Sequence, residues 1–245
     1  MQRYFADSKI TTEYQLTPEI YKHAIKVLRM KVGDIFELVD DVEVVHKMEI
    51  TKIEDGKAKA TSVEVIPSDV ELPADITIAC GISKNDKADW IVQKGTEMGA
   101  TKFIFFVGDY SVAKWDKKRS SKKVQRLQKI ARSAAEQSHR TKIPEVTFVE
   151  KLKDIDFEKN DARIVAYEES AKKGEGGNLF KILNKKPSNI IAIFGPEGGI
   201  SPKEIEFLEA NSFILAGLGP RIMRAETAPL YFLASLSFAL ELSWD

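Results

Sequence analysis

Between residues 34 and 66 apolar positions recur in three strand-length runs, at 34–39, 44–53 and 57–66. The breaks between them carry Asp40-Asp41 and Asp55-Gly56. Runs of this length bounded by turn residues predict strands, and Asp-Gly predicts a tight hairpin because both positions accept positive φ. Tyr4-Phe5 adds a further short strand. Thr17-Pro18-Glu19 reads as an N-cap, a proline at the first helical position and an early acid, predicting a short helix to about Arg29. Gly33-Asp34 then turns the chain. The result is a small β-rich domain over 1–70, followed by a linker marked by Pro67-Ser68-Asp69 and Leu72-Pro73.

From residue 74 the pattern changes. Strand-like runs at 76–80, 103–107, 163–167, 189–194 and 213–216 alternate with helical stretches, which predicts a mostly parallel sheet flanked by helices in a second domain over 74–245. One helix is expected at 86–98. In another, Val124, Leu127, Ile130, Ala131 and Ala134 recur at helical spacing and form an inward face. The last, at 229–242 with Thr227 as its N-cap, is apolar nearly all round, so it calls for burial on more than one side. Residues 171–178, AKKGEGGN, read as a loop and lack the spacing of a dinucleotide-binding fingerprint. There are no internal repeats.

Composition changes this picture little. Of 245 residues, 43% are hydrophobic, enough for a packed core. Lys plus Arg and Asp plus Glu both number 37, so net charge selects no partner, but its distribution does. Between Lys114 and Lys142 eleven basic residues face two acids, Asp116 and Glu136, a local charge of +9 that the rest of the chain balances. An almost unrelieved positive stretch repels itself unless an anion arrives, so Lys122, Lys123, Arg126, Lys129 and Arg132 form a plausible footprint for nucleic acid, set against the bland reading of a solvated helix face. His23, Lys26, Arg29 and Lys31, and then Lys84, Lys87 and Lys94, are smaller clusters of the same sign. Cys80 is the lone cysteine, which excludes an internal disulfide, and with three histidines no metal site is expected. No apolar run of membrane-spanning length occurs, and MQRYFADSKI is not a signal peptide, so a cytoplasmic location is expected.

Two loops concentrate the chemistry. Gly195-Pro196-Glu197-Gly198-Gly199 follows the apolar run 189–194 and precedes Ser201-Pro202-Lys203-Glu204, a capping box. Ligands of parallel α/β sheets bind at the carboxyl ends of strands. Glu197 is a poor neighbour for a phosphate, and the lysine pattern of a phosphate-binding loop is absent, which argues against a nucleotide-hydrolysing enzyme. The second loop, LGPRIMRAETA at 218–228, also joins a strand to a helix and crowds Arg221, Arg224 and Glu226 into an apolar neighbourhood, where charges need specific partners.

These motifs occur in a known order. HAIKVLRMKVGD at 23–34, KNDKADWIVQKGTEMG at 84–99, AAEQSHRTKIP at 134–144, GPEGGISPKE at 195–204 and LGPRIMRAETA closely resemble the bacterial ribosomal RNA small subunit methyltransferase E family. The likeness covers nearly the whole chain, with Met223 where leucine is commoner and Pro229 after the ETA motif. It implies an α/β SPOUT-type methyltransferase domain with a trefoil knot, behind an N-terminal PUA-like β-barrel that helps hold RNA. It implies a homodimer that uses S-adenosylmethionine, no metal and no membrane, and methylates N3 of a uridine in 16S rRNA of the small ribosomal subunit. The cofactor residues it implies are Gly195, Pro196, Glu197, Gly198, Gly199, Leu218, Gly219, Ile222, Met223, Arg224, Thr227 and Ala228. Arg224, Glu226 and Arg140 are the catalytic candidates. RNA contacts are expected from Arg3, His23, Arg29, Lys84, Lys87, Lys94, Lys122, Lys123, Arg126 and Arg140. A related enzyme with another RNA target and a non-catalytic rRNA-binding assembly factor are the competing readings.

Overall fold

The computed structural model describes residues 1–84, 86–115, 117–168 and 177–242. The loop expected at 171–178 lies outside these up to residue 176. The chain divides into two compact units: Met1–Glu71 with Ala135–Lys142, and Leu72–Ala134 with Ile143 onward.

The first unit is a five-stranded sheet in the order β1-β3-β4-β5-β2. Its strands are β1 (Arg3–Phe5), β2 (Glu13–Gln15), β3 (Ile35–Val39), β4 (Val45–Glu54) and β5 (Lys57–Ile66). β1 runs parallel to β3, and the other pairs are antiparallel. The Asp55-Gly56 turn has φ of 49° and 74°, as the hairpin reading requires. At the other hairpin Asp40 Oδ1 accepts from the backbone N–H groups of Val42 (3.0 Å) and Val44 (2.9 Å), which closes the turn. Helix α1 (Pro18–Tyr21) starts where Thr17 accepts from Ile20 N at 3.3 Å. It widens into a π-type turn, Lys22–Val27, and stops by Arg29, which has φ of 59°. Tyr4, Leu16, Ile20, Phe36, Leu38, Met48, Ile50 and Ala60 fill the core.

The segment Ala135–Lys142, expected with the second domain, belongs to this unit. Two arginines account for that. Arg140, 3% exposed, binds the Glu71 carboxylate through Nε (3.1 Å) and Nη2. The same carboxylate accepts from the backbone of Thr141 (2.9 Å) and Lys142 (3.1 Å). Arg3, 4% exposed, donates from Nε to Glu37 (2.8 Å) and from Nη1 to the carbonyl of His139, whose ring also meets Glu37 at 3.0 Å. Buried arginine charges are tolerated because each is paired with an acid, and Arg3 with carbonyls as well.

The second unit is a six-stranded parallel sheet, β11-β9-β10-β6-β7-β8. These are β6 (Asp75–Gly81), β7 (Lys102–Phe106), β8 (Glu145–Val149), β9 (Ala162–Ala166), β10 (Asn189–Phe194) and β11 (Ile214–Ala216). Alternate residues of central β10 serve opposite faces. Ile190, Ala192 and Phe194 join the core under helices α2 (Lys87–Glu97), α3 (Lys117–Gln137), α4 (Asn178–Leu183) and α6 (Thr227–Glu241). Ile191 and Ile193 join the core under α5 (Pro202–Ala210). Burial on both faces is why 189–194 reads as an unbroken apolar run. Strand β8, EVTFV, was not anticipated. Thr227 is the first residue of α6 rather than its cap: Glu226 holds the cap position and makes no capping hydrogen bond.

Candidate active site

The two loops singled out in the sequence leave the carboxyl ends of β10 and β11 and line one cavity of about 620 Å³. Its wall includes Tyr167, Gly195 to Ile200, Leu218, Gly219, Arg221 to Ala225 and Ala228. The volume is in the ordinary range for a small-molecule site.

Backbone packing explains the glycines. A Cβ on Gly195 would stand 2.8 Å from the Gly199 carbonyl carbon, and one on Gly198 would stand 2.7 Å from Tyr110 Cβ. Gly199 has φ of 79° and donates its N–H to the Pro196 carbonyl at 2.9 Å. Pro196 in turn packs on Gly81 at the end of β6, where a Cβ would meet Pro196 Cδ at 2.5 Å. Gly81 therefore seats the loop, a role signalled only by a glycine closing an apolar strand. Below, Ser201 and Glu204 form the expected capping box, at 3.2 Å and 2.8 Å. Glu204 also accepts from Asp109 N at 3.1 Å, and Ser201 donates to Asp109 at 2.5 Å.

Charge enters through Lys87, which opens α2. Its ammonium stands 3.0 Å from Glu197 Oε1 and 3.2 Å from Glu226 Oε2, so one cation meets an acid from each loop. Glu226 Oε2 is buried, and its contact with Lys87 is an ion pair. Glu197 also accepts from Lys84 N at 3.2 Å. The Glu197 hydrogen bond, and Glu226 with it, holds Lys87 above the usual lysine range against the opposing effect of burial. Burial pushes the Glu197 carboxyl up, but Lys87 and a backbone N–H outweigh it and hold it below the usual glutamate range. Lys87, expected to face RNA, thus belongs to the cavity.

The other predicted residues fall into two groups. Arg224 is exposed at the cavity, while Thr227 is exposed at the start of α6 and does not line it. Glu226 is paired with Lys87. Arg3 and Arg140, expected to contact RNA and, for Arg140, to hold the substrate, are buried and paired within the first unit, Arg3 with Glu37 and the carbonyls of 139 and 140, Arg140 with Glu71. His23 and Arg29 are exposed, and His23 Nδ1 lies 2.8 Å from Tyr4 Oη. Lys84 is exposed. Lys94 is held by Glu97 at 2.8 Å and lies over the half-exposed ring of Trp90. On α3, Lys122, Arg126 and Lys129 line a shallow depression with Gln125, Ile130 and Ser133. Arg126 is paired with Asp89 and stands 3.6 Å from Asp86, and Lys123 lies over Trp115. No cluster of metal-ligating side chains occurs among the described residues. No described helix is long and apolar enough to cross a membrane.

A cavity built from strand-end loops of a parallel sheet, in a chain that also carries a separate β-rich unit, defines the class, and comparison with known proteins agrees. The RNA methyltransferase domain family matches residues 70–237, and the RNA methyltransferase PUA domain family matches residues 16–61. Ribosomal RNA small subunit methyltransferase E of Bacillus subtilis is 40% identical over 99% of this chain and 98% of its own length. The protein of the same name from Buchnera aphidicola of Acyrthosiphon pisum is 30% identical, over 94% and 89%. The crystal structure of a ribosomal RNA small subunit methyltransferase E from Neisseria gonorrhoeae, bound to S-adenosyl methionine, superimposes with a TM-score of 0.84 at 28% identity, covering 97% of each chain. The chain belongs to the ribosomal RNA small subunit methyltransferase E family.

Proposed function

We propose that the chain uses S-adenosylmethionine to methylate N3 of a uridine in 16S rRNA of the small ribosomal subunit, in the cytoplasm and as a homodimer. The observation that carries this reading is the cavity itself, in which two glycine-bearing loops at strand ends present backbone and a carboxylate, joined by Lys87. The residues fit such a cofactor. The loop at 195–199 lines the cavity with main chain, Leu218, Ile222 and Met223 give apolar wall, and Glu197 suits a cation where it would repel a phosphate. The β-rich unit, 1–71 with 135–142, is the RNA-holding PUA-like domain, and the rest of the chain supplies the methyltransferase domain with its knotted loops.

S-adenosylmethionine, when bound, supplies a methyl group already activated on a sulfonium. The uracil N3 carries a proton at neutral pH, so a new N–C bond forms there only as that proton leaves and the old S–C bond breaks. Arg224, exposed on the cavity wall, is placed to stabilise negative charge developing on the uracil oxygens. Glu226, two residues on, holds the loop through Lys87 rather than reaching the base itself. N3 lies on the pairing edge, so the base must be unpaired or turned out to meet this wall.

The test is methyl transfer to small subunits from cells lacking the gene, with the modified base located by mass spectrometry. Arg224→Ala is expected to cut transfer at least a hundredfold, in keeping with the loss of one charge-stabilising donor, while bulk RNA binding falls little. Methylation of a different base would overturn the substrate assignment. Binding of RNA with no affinity for S-adenosylmethionine would favour an assembly factor.

A further inference from the structure

The Lys87 cluster does more than brace loops. Three charged side chains from three elements meet there: Lys87 from the start of α2, Glu197 from the loop after β10, and Glu226 from the loop before α6. Their side chains are 23%, 34% and 20% exposed, so water screens them only in part. Two carboxylates share one ammonium, which leaves one negative charge without a partner inside the cluster. Lys87 is protonated and Glu197 ionised at neutral pH, as the shifts described above require. Of the cluster, Lys87 and Glu197 line the cavity, while Glu226 acts on it through its pairing with Lys87; the other charged residues of the lining are Arg221, Arg224 and Glu168. All three are exposed, so solvent screens them more strongly than it screens the cluster. The buried Oε2 of Glu226 meets the Lys87 ammonium at 3.2 Å. A cluster of two acids on one ammonium gains from a further positive charge nearby.

We propose that the Lys87–Glu197–Glu226 cluster is a charge-selective element of the cofactor pocket, favouring the sulfonium cofactor over the neutral thioether that remains after methyl transfer. The inference rests on the cofactor reading above. Before transfer the guest carries a sulfonium; afterwards sulfur is neutral, and all other atoms of the guest are unchanged except the departed methyl. A cavity that recognised only adenine, ribose and the amino acid end would bind the two alike. One unmatched negative charge separates them, and it favours release of the product. Lys87 is a positioning residue in this scheme. Without it the acids of the two loops would lose their shared cation.

Calorimetric titration measures affinity for S-adenosylmethionine, for S-adenosylhomocysteine, and for an analogue with an amino group in place of the sulfonium, cationic but not a methyl donor. Wild type is expected to bind both cations more tightly than the thioether. Glu197→Gln and Glu226→Gln are expected to weaken both cations about three- to tenfold and leave the thioether within twofold. Lys87→Arg is expected to restore the wild-type ratio. Lys87→Met is expected to weaken all three ligands, because the loops lose their shared cation. Two separate substitutions keep the test open if one fails to fold. Equal loss for all three ligands in both glutamine variants overturns the inference, since the acids would then only brace the loops. A wild-type protein that binds none of the three overturns the cofactor reading and this inference with it. Binding of all three with no discrimination overturns the inference alone.

Discussion

At the scale of single residues, the sign and partner of each charge decide its role, and sequence shows only the sign. Arg140 and Arg3 look like ligands for RNA until Glu71, Glu37 and the carbonyls of 139 and 140 are found around them. The acid that holds Arg140 lies 69 residues earlier in the chain, a separation no local pattern reports. Lys87 shows the same limit in the other direction, since its two acids come from loops more than a hundred residues later. By contrast Glu197, Gly198 and Gly199 were legible, because strand, glycine loop and capping box are consecutive in the chain. The Glu71 node makes a sharp prediction. Burial works to raise the Glu71 carboxyl, but the Arg140 hydrogen bonds and charge outweigh it and hold its pKa below its ordinary 4.5. A depressed carboxyl stabilises the fold above its unfolded pKa, and the contribution is lost as pH falls through the folded value. Arg140→Ala leaves Glu71 and the 141–142 backbone around a buried, unpaired charge, a loss of about 3–5 kcal/mol at neutral pH. Hydrogen exchange in β3 to β5 should report it as lost protection. The gap between variant and wild type should narrow as pH falls into and through the ordinary carboxyl range, because without Arg140 burial raises the Glu71 carboxyl and it takes up its proton sooner than in the wild type. An unchanged gap at low pH would show that Arg140 acts by packing alone.

At the scale of elements, periodicity located the strands and helices that bury a face and missed those that do not. β4, β5 and β10 were placed within a residue at each end because their apolar runs are bounded by Asp-Gly, Asp-Asp or a glycine loop. β2 has three residues and one buried side chain, too few to make a pattern. β8 at the sheet edge follows the basic tract and carries one fully buried residue of five. The tract itself proved to be one helix, α3, with Leu127, Ala131 and Ala134 turned inward as spaced. Its charges are not equivalent. Arg126 is matched by Asp89 and lies near Asp86, whereas Lys122 and Lys129 are exposed beside it around the shallow depression. Phosphate contacts set affinity and salt dependence rather than base choice. Replacing Lys122 and Lys129 together by alanine should flatten the slope of log affinity against log salt by about two units, roughly one per lost contact. Arg126→Ala should flatten it less, because its charge is already balanced within the protein. Filter binding of small-subunit RNA at several salt concentrations checks both. Normal slopes for the double variant would make α3 a solvated face.

At the scale of the whole molecule, the apolar surface of α6 is the strongest sign of what the chain does next. Pro229, Phe232, Leu233 and Leu236 are buried against the sheet. Tyr231 (42% exposed), Phe238 (62%) and Leu242 (63%) recur at intervals of seven and four, so they fall on one stripe facing away from that core. This divides a helix that sequence could describe only as apolar all round, because periodicity does not say which of two apolar faces finds its cover within the chain. An exposed apolar stripe on a helix adjoining the cofactor loop is unfavourable in water, and a second copy of the same chain offers a matching stripe about a twofold axis. The homodimer we propose is therefore expected to bury it. Light scattering at micromolar concentration should give twice the chain mass. Phe238→Asp, which places a charge in the stripe without touching the buried residues of α6, should shift that mass to one chain. Because Thr227 begins the same helix directly after Glu226, dissociation should also loosen the loop at 218–226 and weaken cofactor binding severalfold. A wild-type monomer at that concentration, or a Phe238→Asp variant that stays dimeric, would show that α6 is not the surface on which two copies meet.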